Sequence, residues 1–166
     1  MRRFLWLFPV CLLVGFGLLQ VPPVSVTVNR FTAALVSVCG AVIHLFGGRA
    51  TVVGVLLQSP FGFAVKVENG CNAVNVTILL WAAILTYPAP WLRKLQGLAA
   101  GTLALHTVNL LRIISLYYLG QYSRAWFNFA HFYLWESLIV LDTLVIFWLW
   151  AVLVRKARPA PHAATG

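Results

Sequence analysis

Three long runs of this chain carry almost no charge, and they constrain the fold more than anything else in it. They extend from about Asn72 to Tyr87, from about Leu95 to Leu119 and from about Phe132 to Val154. A fourth, from about Phe4 to Pro22, follows Met1-Arg2-Arg3. Runs of this kind are about as long as a bilayer's hydrocarbon core requires of a helix. Of 166 residues, 61% are hydrophobic and 9% charged, against about 25% charged in an average soluble domain. No water-facing shell can be built from that supply. The sequence therefore predicts a single membrane-embedded domain over residues 1–158 and a short disordered cytoplasmic tail over 159–166. The spans are expected at about 4–22, 72–87, 95–119 and 132–154.

The formal charge of +9 is consistent with this reading. Its basic residues sit beside apolar runs, as in Arg2-Arg3, Arg93-Lys94 and Arg155-Lys156-Ala157-Arg158. Such clusters set orientation and meet anionic headgroups. No aromatic and basic residues alternate on a polar face, which argues against nucleic acid as a partner. Cys11, Cys39 and Cys71 show no CxxC spacing and there are no paired histidines, so no metal site or cofactor is expected. The segment Leu19-Gln20-Val21-Pro22-Pro23 has no small-x-small cleavage site, so the first apolar run reads as a retained helix ended by its prolines.

Residues 30–47 and 50–68 read differently. The first is apolar but contains Ser37, Cys39 and His44. The second has β-branched runs around Ser59-Pro60-Phe61-Gly62, the pattern of a small β-hairpin. An open hairpin cannot face hydrocarbon. Charge bias decides the parity. With four spans and the N-terminus inside, Arg2, Arg3, Arg93, Lys94, Arg155, Lys156 and Arg158 share the cytoplasmic side. A fifth span at 30–47 would move most of them out. That segment is therefore expected as an interfacial or re-entrant helix on the outer face, with the hairpin beside it. The expected fold is all-α, with four spans.

This parity brings three residues to one level. Cys71 lies at the outer end of the second span and His131 at the outer start of the fourth. Arg112 lies about 10 Å down the third span, within reach of the same surface. An arginine in a span costs at least about 2.5 kcal/mol on insertion scales, so it needs a reason to be there. Glu136 lies near its depth, and an ion pair between them is one such reason. Asn109, one turn from Arg112, can orient the guanidinium or bind neighbouring backbone. Gly70 and Asn72 flank Cys71 in a polar turn at a helix start. There, amide groups and a nearby cation would favour the thiolate. Packing, or a disulfide with Cys39, are the plainer roles for that cysteine. Glu68 reads as solvated. His131, Trp135, Leu138 and Asp142 fall on one helical stripe. Asp142 should reach the depth of His106, so a His106–Asp142 hydrogen bond is expected as a buried structural lock.

The segments Val67-Glu68-Asn69-Gly70-Cys71-Asn72, Asn109-Leu110-Leu111-Arg112-Ile113-Ile114-Ser115-Leu116 and Phe129-Ala130-His131-Phe132-Tyr133-Leu134-Trp135 together resemble the exosortase/archaeosortase family. The Tyr87-Pro88-Ala89-Pro90-Trp91 segment looks most like exosortase H, a subfamily associated with IPTLxxWG-type C-terminal sorting signals. The resemblance implies a membrane cysteine protease/transpeptidase of the bacterial inner membrane. Its catalytic set would be Cys71, Arg112 and His131, facing the periplasm, with both termini cytoplasmic. It also implies substrate proteins bearing a sorting motif, a transmembrane helix and a basic tail. Two other readings of the same residues stay open. One is a non-catalytic membrane assembly partner. The other is a thiol-redox protein using Cys39 and Cys71.

Overall fold

The structure, a computed structural model, describes residues 2–157; the expected tail at 159–166 lies outside the described residues. Helix α1 spans Arg2–Leu19 and α2 spans Pro22–Leu45. Three short strands follow, β1 Thr51–Val53, β2 Leu56–Gln58 and β3 Ala64–Lys66. The remaining elements are helical: α3 Val74–Thr86, α4 Trp91–Tyr122, α5 Arg124–Phe129, a π-helical segment Ala130–Trp135, and α6 Glu136–Lys156.

Pro22 and Pro23 begin a helix rather than only ending one. Val21 is the extended N-cap residue, and the prolines occupy the first positions of α2. First-turn N–H groups have no intrahelical partner, so proline loses nothing there. This start, well before Arg30, corrects the expected boundary. It also makes α2 long and apolar enough to cross a membrane, as are α4 and the continuous helix Arg124–Lys156. Trp6–Leu19 and α3 are shorter apolar helices. The 13 residues of α3 rise only about 20 Å, against a hydrocarbon core of about 30 Å. The expected count of four spans, with 30–47 set apart as a surface helix, is therefore not reproduced by helix length.

The expected hairpin is a three-stranded antiparallel meander in the order β1-β2-β3. A two-residue turn at Gly54-Val55 supplies the additional reversal, with Gly54 at φ +60°. The register pairs Val52 with Leu57 and Leu57 with Val65. This places Leu57 and Val65 on one face, packed with Cys39 and Ile43 of α2 and Tyr117 of α4. Tyr117 also donates its hydroxyl to Arg49 O at 2.6 Å, and Ser59 donates to Gln121 Oε1 at 2.7 Å. The sheet is thus clamped onto the last turns of α4.

The other half of the molecule is a helix layer. Leu80 and Ile84 of α3 meet Leu105 of α4, with Ile146 and Trp150 of α6 against them. Gly97 and Gly101 let the helices approach: a Cβ on Gly97 would meet the Trp150 ring, and one on Gly101 would meet Leu80. Trp150 Nε1–H donates to Arg93 O at 3.0 Å. Lys94 donates to Leu85 O, satisfying a carbonyl at the end of α3.

Candidate active site

The Cys71 turn is built from its neighbours' polar groups. Cys71 N–H donates to Glu68 O at 2.9 Å, closing a turn through Asn69 and Gly70. Gly70 adopts φ +107°, which glycine reaches without steric cost. Asn72 is wholly buried. Its Nδ2 donates to Thr32 Oγ1 of α2 at 2.9 Å and to Asn69 Oδ1 at 3.4 Å. Its Oδ1 accepts Val74 N–H at 3.1 Å, an Asx-type start for α3. Ala73, between them, is held left-handed at φ +60°, a conformation costing about 1–2 kcal/mol for a residue with a Cβ.

Arg112 is 1% exposed. Its Nη2 lies 3.9 Å from Cys71 Sγ and 3.5 Å from Glu136 Oε2. The guanidinium thus stands between the thiol and a carboxylate, so the ion pair with Glu136 and the approach to Cys71 coexist. Arg112 Nε is buried without a partner among the described residues.

His131 is the second residue of the π segment. With Cys71 and Arg112 it lines a cleft of about 80 Å³, whose other walls include Val65, Leu116 and Phe127. The rings of Phe127 and Phe132 flank the imidazole at centroid distances of 5.6 and 4.8 Å. Its Nδ1 is buried without a partner among the described residues. π-Helical turns are uncommon and recur at functional sites.

The electrostatics differ from the expectation in one respect. Cys71 precedes the first helical residue, Val74, by three positions, so the helix amides do not close on the thiol. Burial pushes its pKa above the ordinary thiol value; Arg112 opposes this, while Glu136 and Glu68 add to it. Glu68 itself pairs with Lys66 at 2.8 Å on the surface, and that pairing lowers its pKa.

Among the remaining expected residues, Asn109 is fully buried, and neither of its amide atoms has a partner among the described residues. Trp135 ends the π segment and does not line the cleft. The His106–Asp142 hydrogen bond is not formed. His106 Nδ1 is buried unpartnered, and the ring packs edge-on against Phe31 at 5.1 Å. The cause is the π segment. Its i→i+5 winding displaces the stripe by one position, so Ile139 and Thr143 take the buried face of α6. Cys39 is wholly buried, and the thiols of Cys39 and Cys71 are both free.

Thr32 is the site residue that sequence reasoning missed; one threonine in an apolar helix carries no signal of its own. A thiol, a guanidinium and an imidazole on one small cleft have the chemistry for nucleophilic attack on a carbonyl, charge stabilisation and proton transfer. No curated protein and no solved structure matches the chain. The family model of the transmembrane exosortases matches residues 2–154, nearly the whole sequence, and the chain belongs to that family.

Proposed function

We propose that this chain is a cysteine transpeptidase that cleaves the C-terminal sorting signal of exported membrane-anchored proteins. Family membership supports a transpeptidase-type role in the membrane. The observation that carries the finer reading is Cys71 Sγ beside Arg112 Nη2, on a cleft that His131 also lines.

In this mechanism Cys71 gives its proton to His131 as the sulfur attacks the scissile carbonyl. Arg112 stabilises the oxyanion. The C–N bond breaks, the amine leaves with the proton from His131, and a thioacyl enzyme remains. An amine or hydroxyl acceptor, or water, then attacks the thioester carbonyl and gives its proton to His131. The C–S bond breaks and the thiol is restored. His131 is the base that activates a thiol with a raised pKa, and the substrate carbonyl competes with Glu136 for the Arg112 guanidinium. The exosortase H type of sorting signal, a substrate with a transmembrane helix and basic tail, an inner-membrane location, cytoplasmic termini and a periplasm-facing cleft all belong to this proposal. Their support is the sequence resemblance.

The test is processing of a reporter ending in an IPTLxxWG-type signal, with mass spectrometry of its new C-terminus. Wild-type protein should release the tail and form a thioacyl adduct on Cys71. Tail release by Cys71→Ala would refute the catalytic reading. The assembly-partner reading has one observation of its own, the Arg112–Glu136 pair. Arg112 is 1% exposed, and the same nitrogen that meets Glu136 also reaches Cys71 Sγ, a contact that a purely structural ion pair does not require.

A further inference from the structure

Ala64, Val65, Lys66 and Val67 all line the cleft of Cys71, Arg112 and His131. Side chains of a strand alternate between its two faces, so four residues in succession border one cavity only along the strand's edge. Burial agrees with this. Val65 and Val67 belong to the core, and Ala64 and Lys66 are exposed. Strand β3 ends the meander and pairs with β2 on one side alone.

The ladder fixes which groups the free edge presents. Val67 N–H donates to Val55 O at 3.0 Å, and Ser59 N–H donates to Phe63 O at 2.7 Å. Phe63, Val65 and Val67 therefore turn their main-chain groups toward β2. Alternate residues of an antiparallel strand face opposite ways, so Ala64 and Lys66 turn theirs outward, along the cleft. Among the described residues nothing bonds to them there. The opposite edge, β1, packs against α2, where a Cβ on Gly40 would meet Val52, and it does not line the cleft.

The pattern of this edge restricts its occupant. Two N–H donors and two C=O acceptors stand in a row, with about 7 Å between the two residues that carry them. An extended polypeptide matches that row. A helix has spent its main-chain groups on itself, and an acyl chain has none to offer. The edge is also continuous with the cleft in which a substrate carbonyl would react.

We propose that the substrate segment at the scissile bond binds as an added strand on β3. Its main chain pairs with Ala64 and Lys66, and the scissile carbonyl is led to Cys71 just beyond the strand's end. This inference rests on the catalytic reading and deepens it. What is recognised is an extended main chain, so the substrate's helix must stop short of the bond that is cut.

The test uses the full chain in detergent and synthetic peptides carrying an IPTLxxWG-type signal. In each peptide one amide is replaced by an ester, which removes a single N–H and adds no bulk. Affinity is read by fluorescence anisotropy on Cys71→Ala, and tail release on the wild-type chain. Esters should weaken binding about fivefold at alternate positions and less than about twofold at those between. Lys66→Pro removes an outward N–H and leaves the bonds to β2 in place, since edge strands accept proline on their free side. Its KM should be about tenfold above that of Lys66→Ala, which keeps the N–H. The kcat and the Cys71 alkylation rate should be equal in the two variants. An ester series with no two-residue repeat overturns the proposal, as do equal KM values for the two Lys66 variants. If Lys66→Pro does not fold, the ester series on Cys71→Ala decides alone. Tail release by Cys71→Ala would sink the catalytic reading, whereas Cys71-dependent release with a flat ester series would sink only the strand pairing.

Discussion

Arg112 Nη2 lies 3.9 Å from Cys71 Sγ, and the same nitrogen faces Glu136. One guanidinium therefore stands between the Cys71 thiol and the Glu136 carboxylate, and both of these charged groups act on that thiol, in opposite directions.

The first prediction concerns thiol titration. Burial and Glu136 raise the Cys71 pKa and Arg112 lowers it. Alkylation by iodoacetamide should thus rise with pH along a curve displaced to the alkaline side of an ordinary thiol. Glu136→Gln removes a negative charge that disfavours the thiolate, so the curve should move to lower pH and the rate at neutral pH should increase several-fold. Arg112→Gln should move it the other way. Coincident curves for the three proteins would show that the Arg112 contact does not act on the sulfur.

A second concerns the catalytic roles. Arg112→Lys keeps the charge but loses the planar fork that can hold an oxyanion and Glu136 together. Processing should fall by about 10²-fold while the protein still inserts and resists heat as before. His131→Gln should lower the rate by roughly 10²–10⁴-fold and flatten its pH profile. Wild-type rates in either variant, measured with the reporter substrate, would remove that residue from the mechanism.

The third joins the turn to α2. Asn72 Nδ2 donates to Thr32 Oγ1 in a buried site. Asn72→Ala should cost about 1–3 kcal/mol of stability, since it removes a buried hydrogen bond and the Asx start of α3. Thr32→Val should cost about 1–2 kcal/mol. A double-mutant cycle by thermal unfolding should show coupling of about 0.5 kcal/mol or more. Strict additivity would mean the two side chains do not interact.

The fourth uses backbone strain. Ala73 sits at φ +60° and is 2% exposed. Glycine takes that conformation freely, at the loss of one buried methyl, so Ala73→Gly should change stability by less than about 1 kcal/mol. Ala73→Val adds a β-branch where the backbone is already crowded and should destabilise by more than about 2 kcal/mol. Circular dichroism melts in detergent distinguish these outcomes. Equal effects of the two substitutions would place Ala73 outside the left-handed region.

How far the site was legible depends on which force placed each residue. The order of Cys71, Arg112 and His131 at the ends and middle of apolar runs is a property of sequence, and the structure lines one cleft with all three. Asn72 and Gly70 were legible as turn formers because their backbone chemistry is local. Asn109 could be placed one turn from Arg112, but its burial without a partner could not be read, since that depends on what packs against α4. Thr32 lies 40 residues from the asparagine it binds, and nothing local marks it.

The amino-acid sequence by itself determined the membrane class, the runs that become helices, and the order of thiol, guanidinium and imidazole along the chain. Hydrophobicity, charge placement and proline chemistry act residue by residue. Tertiary structure decided the rest. Pro22-Pro23 suits both a helix end and a helix start, and the packing of Thr32, Val36 and Cys39 against the core goes with one continuous helix. The register of α6 was decided in the same way. Six residues wound as a π turn bring His131 to the cleft beside Cys71 and Arg112 and turn Asp142 away from His106. A π turn has no composition of its own and forms where packing on both sides of a helix requires one residue more than an α-helix provides.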